Sequence, residues 1–95
     1  MIEVRIRPER IKISGHAGYA EPGKDIVCAA VTALTQTLIQ SIENLTDDKI
    51  ECRISPGKVE VEYGNLSEKS KTLVDSFFVG IRLIADEFPD YVAIM

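Results

Sequence analysis

Alternation of apolar and polar positions opens the chain. Ile2, Val4 and Ile6 fall on one side and Glu3, Arg5 and Arg7 on the other, the two-residue period of a half-buried strand. Pro8-Glu9 makes a turn, because proline cannot continue a central strand. Arg10 to Gly15 alternates again, with Ile11 and Ile13 toward the core and Lys12 and Ser14 outward. The period then changes. Val27, Val31, Leu34, Leu38, Ile42 and Leu45 recur three or four apart, which predicts a helix from about Ile26 to Asn44. Asp25 suits its N-cap. Ile50, Cys52 and Ile54 alternate with Glu51, Arg53 and Ser55, and Val59, Val61 and Tyr63 alternate with Glu60 and Glu62. Between these two strands, Ser55-Pro56-Gly57-Lys58 fits a type II turn. Ser67 can cap a second helix reaching about Glu87, with a stripe of Leu73, Phe77, Ile81, Ile84 and Phe88, ended by Pro89. Tyr91 to Ile94 reads as a short fifth strand or a docking tail.

The order β-β-α-β-β-α-β predicts an α+β fold: a mixed, mostly antiparallel sheet of about five strands with both helices on one face. The other face would carry Arg5, Lys12, Glu51, Arg53, Glu60 and Glu62, whose cross-strand pairing needs no functional explanation. Cys52 falls on the apolar side of its strand and reads as core filler. Ile26, Ala29, Ala30 and Ala33 make the first half of the first helix apolar on nearly every side. One sheet in a short chain cannot cover all of it, so a two-fold homodimer is expected.

Composition narrows the function classes. A chain of 95 residues, 45% hydrophobic and 27% charged, suits one globular domain spanning 1–95. Its net charge of −4 disfavours direct nucleic-acid binding and anionic membranes. No apolar run looks long enough to span a bilayer. Two cysteines and no apolar leader point to a reducing, cytoplasmic setting. Two cysteines and one histidine are too few for a structural zinc site in one subunit, so neither metal nor cofactor is expected.

Chemistry concentrates between Gly15 and Ala30, in GHAGYAEPGKDIVCAA. The only histidine, His16, stands at a strand end; Cys28 stands at the third position of the predicted helix. Backbone N–H groups are unpaired there, and the helix macrodipole and a nearby imidazolium both favour a thiolate. The pattern reads as a cysteine–histidine nucleophile site. The helix-start N–H groups would serve as an oxyanion hole. Gly18 and Gly23 bracket an intervening loop, solvated by Glu21 and Lys24, that would close over substrate. Asp25 either caps the helix or orients His16 as the third member of a triad, and the sequence does not choose between these roles. Gly18 to Asp25 is also one residue short of a P-loop: Asp25 stands where Ser or Thr would hold magnesium.

Gly15-His16-Ala17-Gly18-Tyr19-Ala20 followed by Gly23-Lys24-Asp25-Ile26-Val27-Cys28-Ala29-Ala30 closely resembles the ribosomal-processing cysteine protease family, Prp. The resemblance implies a small α+β homodimer. It would cut a short N-terminal extension from the precursor of the large-subunit ribosomal protein numbered twenty-seven. It implies Cys28 as nucleophile and His16 as general base. Gly15, Gly18, Tyr19, Gly23, Lys24 and Asp25 would form and gate the site, and Thr32, one turn after Cys28, stands where the family often has serine. Three other readings stay open from the residues: a non-enzymatic dimeric module binding a ribosomal or ribosome-assembly protein, a thiol redox protein lacking a Cys-x-x-Cys pair, and an RNA binder.

Overall fold

The computed structural model describes residues 1–95 and bears out the expected order of elements: β1 (Ile2–Arg7), β2 (Arg10–Ser14), α1 (Ile26–Leu45), β3 (Ile50–Ser55), β4 (Lys58–Tyr63), α2 (Glu68–Glu87) and β5 (Val92–Ile94). The strands form one sheet in the order β3-β4-β2-β1-β5. Every pairing is antiparallel except β1 with β5, which run parallel with Ile2 opposite Val92 and Val4 opposite Ile94. The chain reaches that edge through α2, a crossover of the kind a parallel pair requires.

The core follows the periodicities. Ile2, Val4, Ile11, Ile13 and Val92 from the sheet meet Val27, Val31, Leu38 and Ile42 of α1 and Val74, Phe77 and Ile81 of α2, all buried. The opposite sheet face is charged as expected, with Arg53 reaching Glu60 at 3.5 Å and Glu62 at 3.4 Å. These pairs are solvent-exposed on the arginine side and contribute little.

Three expectations are corrected. Cys52 is only half-buried, and its neighbour Ile54, on the same side of the edge strand β3, is 60% exposed. The helices do not extend far enough sideways to cover β3, so alternation alone overstated its burial. Leu45 ends the apolar stripe of α1 but projects past the sheet, 62% exposed. Finally, α1 is, by length and composition, apolar enough to cross a bilayer. It passes that test because its core-facing stripe adjoins the alanines of its outer face; here it lies against the sheet with Val27, Val31, Thr35, Leu38, Ile39 and Ile42 buried.

The far ends of the two helices are tied together. The Asp48 carboxylate accepts from Ser67 N–H at 3.0 Å, from Ser67 Oγ at 2.6 Å and from the Ser70 hydroxyl. Ser70 is fully buried, and its hydroxyl also reaches Thr46 Oγ1 at 3.3 Å. These bonds hold the Asp48 carboxyl below its ordinary value, the Ser67 hydroxyl contributing most.

Candidate active site

The candidate site gathers at the end of the sheet where β2 stops, α1 starts and the β3–β4 turn lies. β2 ends because Gly15 adopts φ +95°, a conformation that L side chains rarely take. A Cβ at Gly15 would also overlap the carbonyl oxygen of Met1, the residue preceding β1. The bare glycine therefore lets the chain turn against the sheet edge, and its N–H donates to Gly57 carbonyl at 2.9 Å. Past this turn the in–out alternation continues except at Gly15 itself, and the next three residues take different roles. His16 is exposed, Ala17 is buried and Gly18 opens the loop.

Cys28 lies in the first turn of α1, partly buried against the core. Its Sγ accepts a hydrogen bond from Ala17 N–H at 3.3 Å. The strand end that carries His16 is thereby brought to the thiol through the backbone of the following residue. The side chains themselves are not joined: no hydrogen bond links His16 to Cys28. The imidazole instead lies over Gly57, with Nε2 3.0 Å from where a Cβ on Gly57 would stand.

Asp25 occupies the N-cap, with extended backbone angles. Oδ1 accepts from Val27 N–H and Cys28 N–H, each at 3.0 Å; Oδ2 accepts from Tyr19 N–H at 3.0 Å and Ala20 N–H at 3.5 Å. One oxygen thus caps the helix and the other fastens the loop, and His16 bonds to neither. The bond from Cys28 N–H is the main cause holding the Asp25 carboxyl below its ordinary value, opposed by partial desolvation and aided by Tyr19 and Ala20. The same contacts narrow the donors open to the expected oxyanion hole, leaving Ile26 N–H as the helix-start donor without a partner. The Val27 and Cys28 N–H groups are already engaged by Asp25, and Ala29 N–H bonds the Asp25 carbonyl at 3.0 Å.

The loop from Ala17 to Lys24 is anchored at one end. The Tyr19 ring meets Phe88 and Tyr91 edge-on, with centroids 5.6 and 5.2 Å apart, tying it to the C-terminal end of α2 and the start of the fifth-strand segment. The tip is exposed, held by Lys24 N–H donating to Glu21 carbonyl at 2.9 Å, with Gly23 at φ +85°. Thr32 follows Cys28 by one turn, exposed and without a hydrogen bond to it. The second thiol, Cys52, sits apart on β3; burial, and secondarily the charge of Glu43, push it above its ordinary value.

Sequence reasoning missed two members of this arrangement, Ala17 through its N–H and Gly57 through its bare Cα. Neither carries a chemical side chain, and Gly57 is distant in sequence, so no motif signals it. Cavities of about 880 and 610 Å³ lie at the other end of the sheet, around Arg7, Glu9, Tyr63 and Gly64, and include none of the expected site residues.

The family described as cysteine protease Prp matches residues 1–93. The ribosomal processing cysteine protease Prp of Mycoplasma genitalium is 27% identical over 97 residues, covering 99% of this chain and 94% of that protein. The fold matches that of the Staphylococcus aureus ribosomal processing protease Prp with a covalently linked product peptide, at TM-score 0.89 and 18% identity over 98% of this chain and 94% of the other. It also matches the Streptococcus mutans protein SMU.848, at TM-score 0.79 and 29% identity over 98% of this chain and 89% of the other. A match this extensive, over a chain with a helix-start cysteine beside a histidine-bearing strand end, is decisive: the chain belongs to the Prp family of ribosomal-processing cysteine proteases.

Proposed function

We propose that this chain is an endopeptidase that removes the N-terminal extension of the large-subunit ribosomal protein numbered twenty-seven, with Cys28 as nucleophile and His16 as general base. The observation that carries this reading is the Ala17 N–H directed at Cys28 Sγ, in the first turn of a capped helix. A backbone donor aimed at the sulfur fixes its position at the start of a helix, a common setting for cysteine nucleophiles. The naming of the Mycoplasma genitalium relative as a ribosomal processing protease, and of a Staphylococcus aureus structure as a complex with a substrate peptide, supports a peptide of ribosomal origin.

His16, seated beside Gly57, takes the thiol proton of Cys28. The sulfur attacks the scissile carbonyl carbon. The carbon–nitrogen bond breaks, and the imidazolium gives its proton to the leaving amine. A water, deprotonated by the neutral imidazole, then adds to the thioester; the acid is released and the thiol restored. Ala17 N–H steadies the sulfur while Asp25 keeps the helix start and loop in place. The loop tip, free of Tyr19's anchor, folds over the extended substrate. Thr32 borders the nucleophile's face of α1.

The reaction suits a reducing cytoplasm, where the thiol stays free. The working unit is a homodimer, supported by Ile26, Val79 and Leu83, which are 58, 62 and 66% exposed on the two helices. Sedimentation at micromolar concentration should give a dimer; monomer alone contradicts it. The function is tested by incubating the protein with the ribosomal precursor alongside Cys28→Ala, His16→Ala and Cys52→Ala. Either site variant should abolish most turnover, the double variant should cost little more, and Cys52→Ala should cut normally. Binding of the precursor by the wild type without cutting would favour the adaptor reading.

A further inference from the structure

We infer that Gly57, at the tip of the β3–β4 hairpin, is a positioning residue: its missing side chain leaves the space in which the Nε2 end of the His16 ring rests. The inference rests on His16 being the general base.

Two contacts converge on this glycine. The Gly57 carbonyl accepts the Gly15 N–H at 2.9 Å, which fixes the hairpin tip against the residue preceding the histidine. The Nε2 end of the His16 ring then lies nearest the tip. A Cβ on Gly57 would stand 3.0 Å from Nε2, 3.5 Å from Cε1 and 3.8 Å from Cδ2. The imidazole makes no hydrogen bond of its own, so this surface and the Gly15 bond are what set its place. Pro56 and the positive φ of Gly57, +71°, shape the turn that presents the bare Cα. The hairpin thus joins β2 and α1 as a third wall of the site, although it holds no group that reacts.

A side chain at Gly57 should lift the ring off its seat and shift Nε2. Because turn strain alone would follow from Gly57→Ala, two other changes separate the causes. Gly57→Asn tolerates positive φ but adds the Cβ. A D-alanine analogue at position 57 suits the same φ and projects its methyl from the other side of Cα. The chain is short enough to assemble by ligation at Cys52. We expect Gly57→Asn to lower kcat on the precursor by about tenfold to hundredfold, the scale of a misplacement near 1 Å, with KM unchanged. The D-alanine analogue should keep kcat within about threefold of wild type on the same scale. Because His16 is the only histidine, its ring resonances are unambiguous, and they should show a nuclear Overhauser contact to Gly57 Hα that Gly57→Asn abolishes. Full turnover by Gly57→Asn, or no Overhauser contact in the wild type, overturns the inference. If the wild type cuts no precursor, proteolysis is what fails, and the Overhauser contact with its loss in Gly57→Asn still decides the seat.

Discussion

Gly15→Ala is the change whose cost the structure defines best. Gly15 sits at φ +95°, and a residue with a Cβ held in left-handed backbone loses about 1–2 kcal/mol. The new methyl would also overlap the carbonyl oxygen of Met1. Met1 itself is free to shift, but Ile2 is 3% exposed and its N–H is bonded to Tyr91 carbonyl at 2.8 Å. Moving Met1 therefore drags on a buried residue whose full burial is worth about 1.5–3 kcal/mol, and losing a fraction of that adds about 1 kcal/mol. The expected loss is about 2–3 kcal/mol, which in a domain this size lowers Tm by roughly 10–20 °C. Thermal and urea unfolding followed by circular dichroism measure it. Gly15→Asn, which accepts positive φ but keeps the overlap, should retain about half of the loss. A fall in Tm below about 3 °C for Gly15→Ala would refute the packing argument.

Further outcomes follow from the same geometry. Cys28 should alkylate before Cys52 in brief iodoacetamide treatment at neutral pH, since Cys52 is pushed up by burial and Glu43; equal labelling, read by peptide mass mapping, contradicts this. Asp25→Asn should keep turnover within about tenfold, because Asp25 caps and fastens rather than orienting His16, whereas loss of a triad carboxylate costs about 10⁴. Amide exchange at Tyr19 and Ala20 should quicken in that variant. Asp25 and Asp48 are both held below the ordinary 3.8, so the stability they contribute is present above that value and is lost as pH falls through their folded values. Acid titration of Tm should therefore steepen below about pH 4, and less so in Asp48→Asn; an unchanged slope in that variant counts against the Ser67–Ser70 network.

Local chemistry made much of the fold legible. Alternation located β1 to β4, Ser55-Pro56-Gly57-Lys58 located their second turn, and Asp25 and Ser67 marked the helix starts that the structure caps with those side chains. Each of these signals is carried by neighbours in sequence. What escaped depends on distant partners. The exposure of Ile54 follows from how far α1 reaches over an edge strand, and the parallel seat of β5 beside β1 is set by the path of α2. At the site, the Cys28 motif and the capping aspartate could be read in advance, because residue type and spacing encode them. The Ala17 bond to sulfur and the His16 contact with Gly57 could not, since a backbone donor and an absent side chain leave no mark in a pattern of residue types. The choice between cap and triad member for Asp25 also needed coordinates: four backbone N–H groups converge on it and the imidazole does not.

The central claim is that Cys28 becomes covalently acylated during cleavage. Mixing enzyme and precursor in rapid single turnover, quenching in acid and mapping the digest by mass spectrometry tests it directly. The account predicts a transient adduct on the peptide carrying Cys28, equal in mass to the N-terminal extension less one water, and none on the peptide carrying Cys52. It is absent in Cys28→Ala, which also fails to cut. Cleavage that proceeds in Cys28→Ala, or an adduct found on any other residue, would contradict it.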